Sequence, residues 1–295
     1  MAAKLLKGKK LSDRLRAELK ARAEAVTESR GAPPGLAILS IGGDPASQIF
    51  LRNKLQACKE VGVEATVEAL HAAISEAEVQ RILAALAENP AVDGIILDLP
   101  LPEHLDARRL TEAIASDRDV EGVTTANYGR LYTVKSFAAL RDSQALLPCT
   151  ANAVIRLLLE TGVDPRGLDA VVVGRSNIVG RPTAHLLSCL DATVTLCHAR
   201  TRDLAAHLRR ADILVSAAGK PRFIRGGALK PGAVVLDAGM NGEGAGLCGD
   251  VDFDSAVKVA GHLTPVPGGI GPLTVTCLLE NTVLAAERRT RRQLH

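Results

Sequence analysis

The chain has 295 residues, 47% of them hydrophobic, with a formal net charge of +3. That is enough apolar material for one large core or two modest ones. The small net charge, and an aromatic content of 2% with no Trp, argue against a broad nucleic-acid field or a base-stacking platform.

Residues 10–29 carry helical periodicity that stops at Gly31, with Pro33 and Pro34 beyond. The apolar run 36–41 predicts a strand closed by Gly42-Gly43-Asp44-Pro45. A helix over about 46–61 follows, then a strand near 64–70, a helix near 75–88 and a strand over 94–99 closed by Pro100. A further helix is expected at roughly 106–115, and 122–147 reads as loop. After a helix at about 151–162 come strands at 171–173, 193–197, 213–216, 233–237 and 257–260. The segment 264–272 is too rich in Pro and Gly for a helix or central strand, and a last helix is expected over about 273–290. Continuous apolar strands alternating with helices predict an α/β chain with parallel sheets covered on both faces. Two domains are expected: 1–147 plus 273–295, and a Rossmann-like domain over 148–272, with the cleft between them as the default site.

The six cysteines (58, 149, 189, 197, 248 and 277) are scattered, and none has zinc-ligand spacing with Cys or His. They read as buried thiols of a cytoplasmic protein, and no metal is expected. The N-terminus does not resemble a signal peptide, and no apolar run is long enough for a membrane span.

The most informative stretch is Val171-Val172-Val173-Gly174-Arg175-Ser176-Asn177-Ile178-Val179-Gly180-Arg181-Pro182. It reads as a buried strand, a glycine-edged turn and a helix start, which aims backbone N–H groups at a dinucleotide pyrophosphate. Its spacing differs from Gly-x-Gly-x-x-Gly, so a plain structural turn competes with this reading. The next strand ends in His198-Ala199-Arg200-Thr201-Arg202, with no acid to grip a ribose hydroxyl. Arg175, Arg200 and Arg202 offer guanidinium groups that suit a 2′-phosphate, which favours NADP over NAD, although Arg200 or Arg202 taken singly reads equally well as a solvated helix start.

Several motifs then fall in one order along the chain: Asp44-Pro45-Ala46-Ser47, Lys54 with Ala57-Cys58, Leu99-Pro100-Leu101-Pro102, Asp119-Val120 with Gly122, Pro148-Cys149-Thr150, the 171–182 run, Gly249-Asp250-Val251-Asp252-Phe253 and Thr264–Pro272. In these the chain resembles the bifunctional 5,10-methylenetetrahydrofolate dehydrogenase/5,10-methenyltetrahydrofolate cyclohydrolase family. The resemblance implies a homodimer of two-domain subunits, with a tetrahydrofolate derivative in the interdomain cleft and NADP on the second domain. It implies hydride transfer from the methylene bridge to the nicotinamide, then hydrolysis of the methenyl cation, without a metal. Lys54 matches the family's central lysine, and residue 50 shares its helix face. Pro267, Gly268 and Gly269 match the loop that approaches folate and nicotinamide. Gly174, Arg175, Ser176, Ile178 and Val179 match the cofactor turn. Arg200 and Thr274 are carried over as further cofactor contacts, while Ala199 stands where the family often has a serine.

Three departures from the family pattern fall on the folate side. Phe50 stands for a tyrosine, Asp98 for a glutamine and Glu121 for an aspartate. Glu121 still offers a carboxylate to pterin N–H donors, on a longer arm. Asp98 is the severe change, because an anion beside Lys54 favours the ammonium form, whereas a lysine that activates water must give up its proton. Lys54 is therefore expected to pair with Asp98 and cyclohydrolase activity to be weak or absent, unless Asp98 itself serves as the base. Dehydrogenase activity is expected to persist. Alternatives are a paralogue that handles a modified folate or another imine-like substrate, and a non-catalytic NADP-binding protein. A shikimate-type dehydrogenase would share only architecture.

Overall fold

The computed structural model describes residues 2–43, 45–143, 145–243 and 246–294, with no account of the side chains of 45–50, 141–142, 243 and 293–294. In chain order the elements are β1 (Lys4–Leu5), α1 (Gly8–Arg30), β2 (Gly35–Ile41), α2 (Pro45–Val61), β3 (Glu64–Leu70), α3 (Glu76–Glu88), β4 (Gly94–Leu97) and α4 (Ala107–Glu112). Then come α5 (Thr125–Tyr132), α6 (Phe137–Asp142), α7 (Cys149–Leu159), β5 (Asp169–Val173), α8 (Gly180–Cys189), β6 (Thr193–Cys197), α9 (Leu204–Arg210) and β7 (Ile213–Ser216). The chain closes with β8 (Val234–Asp237), β9 (Asn241–Glu243), β10 (Gly246–Cys248), α10 (Phe253–Ala256), β11 (His262–Leu263) and α11 (Ile270–Leu294).

The chain divides into two compact units. One comprises Arg14–Leu131, Gln144–Leu147 and Val275–His295. Its sheet is parallel, in the order β3-β2-β4. All seven residues of β2 are buried, as a central strand covered on both faces requires. One face of β2 (Ala37, Leu39 and Ile41) packs with Val79, Leu83 and Leu86 of α3, which recur at helical spacing. A capping box fixes where α3 begins: Ser75 Oγ accepts from Glu78 N at 3.3 Å, and Glu78 Oε2 accepts from Ser75 N at 3.1 Å. The fully buried Asp93 accepts from both Arg30 Nη1 (2.9 Å) and Nη2 (2.6 Å), Arg289 Nη1 (2.8 Å) and Gly35 N (2.9 Å). That carboxylate ties α1, α11 and the start of β2 together.

The other unit comprises Met1–Asp13, Tyr132–Ser143 and Pro148–Thr274. Its six-stranded sheet runs β1-β11-β8-β7-β5-β6, every neighbour parallel. The short β1, which periodicity did not signal, pairs Lys4 with His262 and Leu5 with Leu263. Four residues of β5, and all of β7 and β8, are buried, whereas β6 at the edge is mostly not.

Three expectations need correction. Residues 257–260 are not a strand: α10, capped by Asp252, runs into a turn, and the strand is His262–Leu263. Val257 and Val259 pack against the core from that turn, and their apolar character mimicked a strand. The 122–147 region is not all loop. It holds α5 and α6; α5 follows Thr124, whose N–H is bound by Asp119 Oδ2 at 2.7 Å, and Thr125 N is bound by Glu112 Oε1 at 3.0 Å. Finally, α11 begins at Ile270, so Gly271 and Pro272 lie in its first turn, where proline lacks no needed donor.

Candidate active site

In the unit built on β2, the carboxyl end of β4 carries the acidic residue of interest. The strand stops at Leu97, yet Asp98 N still donates to Leu39 O at 2.8 Å, so the chain keeps its register one residue further. Lys54 projects from α2, the helix that follows β2. Its Nζ lies 2.6 Å from Asp98 Oδ1, with the two side chains 18% and 7% exposed. This is a short, charge-assisted contact with little water around it. Phe50 lies on α2 one turn before Lys54, but its side chain is outside the described residues. Cys58, one turn after Lys54, is buried, and that burial pushes its thiol up to about 12. It is no nucleophile.

Glu121 reaches the same neighbourhood from a different segment. Ile95 and Asp119 form a parallel bridge, so residues 119–121 run alongside β4 towards Asp98. Gly94 permits this approach: a Cβ there would stand 2.6 Å from Val120 Cγ1. Glu121 is partly buried, and its carboxyl is pushed up to about 7, chiefly by loss of water. Lys54 opposes the rise, while Asp119 and Asp98 add to it. Lys54, Asp98 and Glu121 therefore form one electrostatically linked group. Asp119 is fully buried: its Oδ2 accepts from Thr124 N (2.7 Å) and Asn127 Nδ2 (2.8 Å), while its Oδ1 has no hydrogen-bond partner among the described residues.

In the unit built on β5, the turn after that strand fits a nucleotide phosphate. Gly174 has φ 119°, and a Cβ there would fall 2.1 Å from Ala217 O; one on Gly180 would fall 2.0 Å from Gly174 O. The chain folds back on itself here only because side chains are absent. Ser176 Oγ accepts from Val179 N (3.2 Å) and Gly180 N (3.3 Å), which holds the turn at the start of α8 and leaves the hydroxyl hydrogen for an anion. Ile178 is exposed and Val179 partly so. Arg175, Arg200 and Arg202 are exposed, and their guanidinium groups make no hydrogen bond or ion pair with other described residues. Val173 and Cys197 pair in register, so Arg175 and Arg200 leave the same edge of the sheet from adjacent strands.

The 264–269 loop is tightly folded. Gly268 has φ 102°, its carbonyl accepts from Gly8 N at 3.0 Å, and a Cβ on Gly269 would stand 2.6 Å from Pro265 O. Pro267 precedes them in this loop. Thr274 lies in the first turns of α11, where its Oγ1 donates to Ile270 O at 3.4 Å.

Sequence reasoning assigned no role to a second pair of acids. Asp250, fully buried, accepts from Ser216 Oγ (2.9 Å), Ala218 N (2.7 Å), Gly219 N (3.2 Å), Lys220 N (2.9 Å) and Asn241 Nδ2 (3.0 Å). Asp237 accepts from Gly239 N (2.9 Å), Asp250 N (3.1 Å) and Val251 N (2.8 Å), and burial pushes its carboxyl up to about 6. Together they fix the loops beyond β7 and β8. The Gly-Asp-Val-Asp run was visible in sequence, but nothing there pointed it at Asp237. Among the described residues no group of three or more His, Cys, Asp or Glu could hold a metal ion, and no helix is long and apolar enough to cross a membrane.

A parallel sheet with a glycine-edged phosphate turn, and a second α/β unit with a lysine–carboxylate centre, define a two-domain nucleotide-dependent enzyme. Family models agree: residues 6–121 match the tetrahydrofolate dehydrogenase/cyclohydrolase catalytic domain, and residues 148–290 match the NAD(P)-binding domain of that family. The chain is 48% identical to the bifunctional protein FolD of Moorella thermoacetica over 98% of its own length and 100% of the relative's. A solved bifunctional FolD from Campylobacter jejuni superposes with a TM-score of 0.91 at 39% identity, covering 98% of this chain and 100% of that one. The Trypanosoma brucei enzyme, solved with NADP cofactor and an inhibitor, gives 0.92 at 35% identity, covering 99% of both chains. The chain belongs to the tetrahydrofolate dehydrogenase/cyclohydrolase family, enzymes of one-carbon folate metabolism.

Proposed function

We propose that this enzyme oxidises 5,10-methylenetetrahydrofolate to 5,10-methenyltetrahydrofolate with NADP, and that its cyclohydrolase activity is reduced. The carrying observation is the 2.6 Å contact between Lys54 Nζ and Asp98 Oδ1. Bound NADP would supply the hydride acceptor. The turn at 174–180 would hold its diphosphate, with Ser176 donating its hydroxyl hydrogen. Arg175 and Arg200 would meet the 2′-phosphate, for which their unpaired forks are suited. On the folate side Glu121 would bind the pterin N–H groups.

Hydrolysis needs a group that takes a proton from water. A lysine whose ammonium is held by a carboxylate has no lone pair to offer. Asp98 in turn is engaged by the ammonium through Oδ1. Both partners thus favour the ion pair over proton transfer. The departures from the family pattern read in the sequence at Phe50, Asp98 and Glu121 point the same way.

Methenyl-tetrahydrofolate hydrolysis by wild type and Asp98→Gln tests the proposal. The glutamine variant is expected to hydrolyse faster by about tenfold or more, with NADP reduction changed far less. A wild type already as fast as the variant removes the hydrolytic part. For the cofactor, Arg175→Ala should lower kcat/KM for NADP by about ten- to a hundredfold, the value of one or two charge-assisted bonds, and leave NAD nearly unchanged. Equal losses for both cofactors would refute the phosphate role.

A further inference from the structure

A parallel sheet takes a dinucleotide at the carboxyl ends of its strands, where the strand order reverses. In the six-stranded sheet that point lies at β5, with β6 on one side and β7, then β8, on the other. The phosphate turn follows β5, and Arg200 follows β6. An adenosine half held on the β6 side leaves the nicotinamide half to cross the loops that follow β7 and β8. Those loops are open at their tips, where Gly219, Lys220 and Met240 are exposed. The first of them abuts the phosphate turn: Ala217 N donates to Val173 O at 2.7 Å, and Ala217 O is the atom a Cβ on Gly174 would meet.

Groups from both loops converge on one carboxylate. Asp250 Oδ2 accepts from Ser216 Oγ and from the N–H groups of Ala218 and Gly219, while Oδ1 accepts from Lys220 N and from Asn241 Nδ2 at the start of β9. Gly239 passes so close that a Cβ there would stand 2.2 Å from Asp250 Oδ1. These partners are all donors, and an amide in place of the carboxylate would turn N–H groups of its own towards some of them. Asp237 carries the link onward. It accepts from Asp250 N at 3.1 Å, and its own N–H donates at 2.7 Å to Thr264 Oγ1, where the 264–269 loop begins.

We propose that Asp250 is a positioning residue that sets the nicotinamide half of the cofactor against the 264–269 loop, while the turn after β5 alone decides how the phosphates are held. The inference rests on the cofactor reading above and deepens it. Asp250 is fully buried, so it acts through the backbone of 218–220 and the side chain of Asn241. Hydride transfer asks more of this placement than binding does. The reacting carbons must come within about 3–3.5 Å, and a misplacement of about 1 Å costs about a hundredfold in rate.

Asp250→Asn tests this in the full chain with two ligands. Adenosine 2′-phosphate 5′-diphosphate carries the adenosine-side phosphates of NADP without the nicotinamide, and NADPH adds a reduced ring whose fluorescence changes when it is held. The variant is expected to bind the first ligand within about threefold of wild type, since the bonds to the phosphates are untouched. It should lose at least about half of the nicotinamide fluorescence change, and pass hydride from 5,10-methylenetetrahydrofolate about ten- to a hundredfold more slowly in a single turnover. Ser216→Ala removes one donor and leaves the others, so it should move both readouts the same way by less, and it decides the question should Asp250→Asn fail to fold. Equal losses for both ligands would mean a structural role and overturn the inference, and so would an unchanged nicotinamide signal. Wild type that binds neither ligand would remove the cofactor reading and this inference together. Wild type that binds both but takes no hydride from the folate would remove the folate reading alone, with the fluorescence still deciding the role of Asp250.

Discussion

Glu121→Gln should flatten a pH dependence of stability that burial builds into the unit around β2. Loss of water pushes the Glu121 carboxyl from 4.5 to about 7. Below 4.5 both folded and unfolded chains are protonated at this residue. Between the two values the unfolded chain has released the proton and the folded chain keeps it, so stability falls as pH rises. The loss is complete just above pH 7 and constant beyond. At about 1.4 kcal/mol for each pH unit between the two values, its ceiling is about 3 kcal/mol. Partial contact with water brings the expected range to about 1–3 kcal/mol. Urea unfolding of wild type and variant at half-unit steps from pH 4.5 to 8 measures it, with amide exchange in β2 reporting on this unit alone. The comparison cancels Asp237, whose carboxyl, pushed up to about 6, gives a loss of the same sign in the other unit. Because Lys54 opposes the rise, Lys54→Met should carry the midpoint above 7. A wild-type minus variant difference that stays flat across this range would refute the reasoning.

Three further outcomes follow from burial and packing. Asp93→Asn leaves the guanidinium groups of Arg30 and Arg289, 11% and 14% exposed, without their shared anion, and should cost about 3–5 kcal/mol in chemical denaturation; a cost under about 1 kcal/mol would show that the network is dispensable. Gly249→Ala would put a Cβ 1.9 Å from Asp237 Oδ2, so a loss of about 1–3 kcal/mol is expected. Gly227→Ala, with nothing within 4 Å of the added carbon, should stay within about 0.5 kcal/mol by the same measurement.

Much of this was legible in one dimension because of how parallel sheets are covered. A strand buried on both faces must be apolar throughout, and Gly35–Ile41 and Asp169–Val173 announce themselves that way. Glycines that cannot carry a side chain, such as Gly174 and Gly180, likewise leave a trace in spacing. Amphipathic helices end where Gly31 and Gly62 stand, both at positive φ. Where the same apolar residues serve a turn, as at Val257 and Val259, composition misleads, because burial does not require a strand. The helices within 122–147 were hidden by their brevity and by Gly129 inside α5.

By itself the sequence determined the α/β class, the glycine-edged turn after β5, the lysine helix and the acid at the end of β4, since each depends on neighbours close in the chain. Only the tertiary structure decided that Lys54 and Asp98, 44 residues apart, touch at 2.6 Å. Only it could bring Glu121 within electrostatic reach of them, link Asp237 to Asp250 and add Lys4–Leu5 to the far edge of the second sheet. The reason is physical: periodicity records which face a residue turns to the core, whereas the loss of water and the nearness of a charge depend on segments that meet only when the chain is folded.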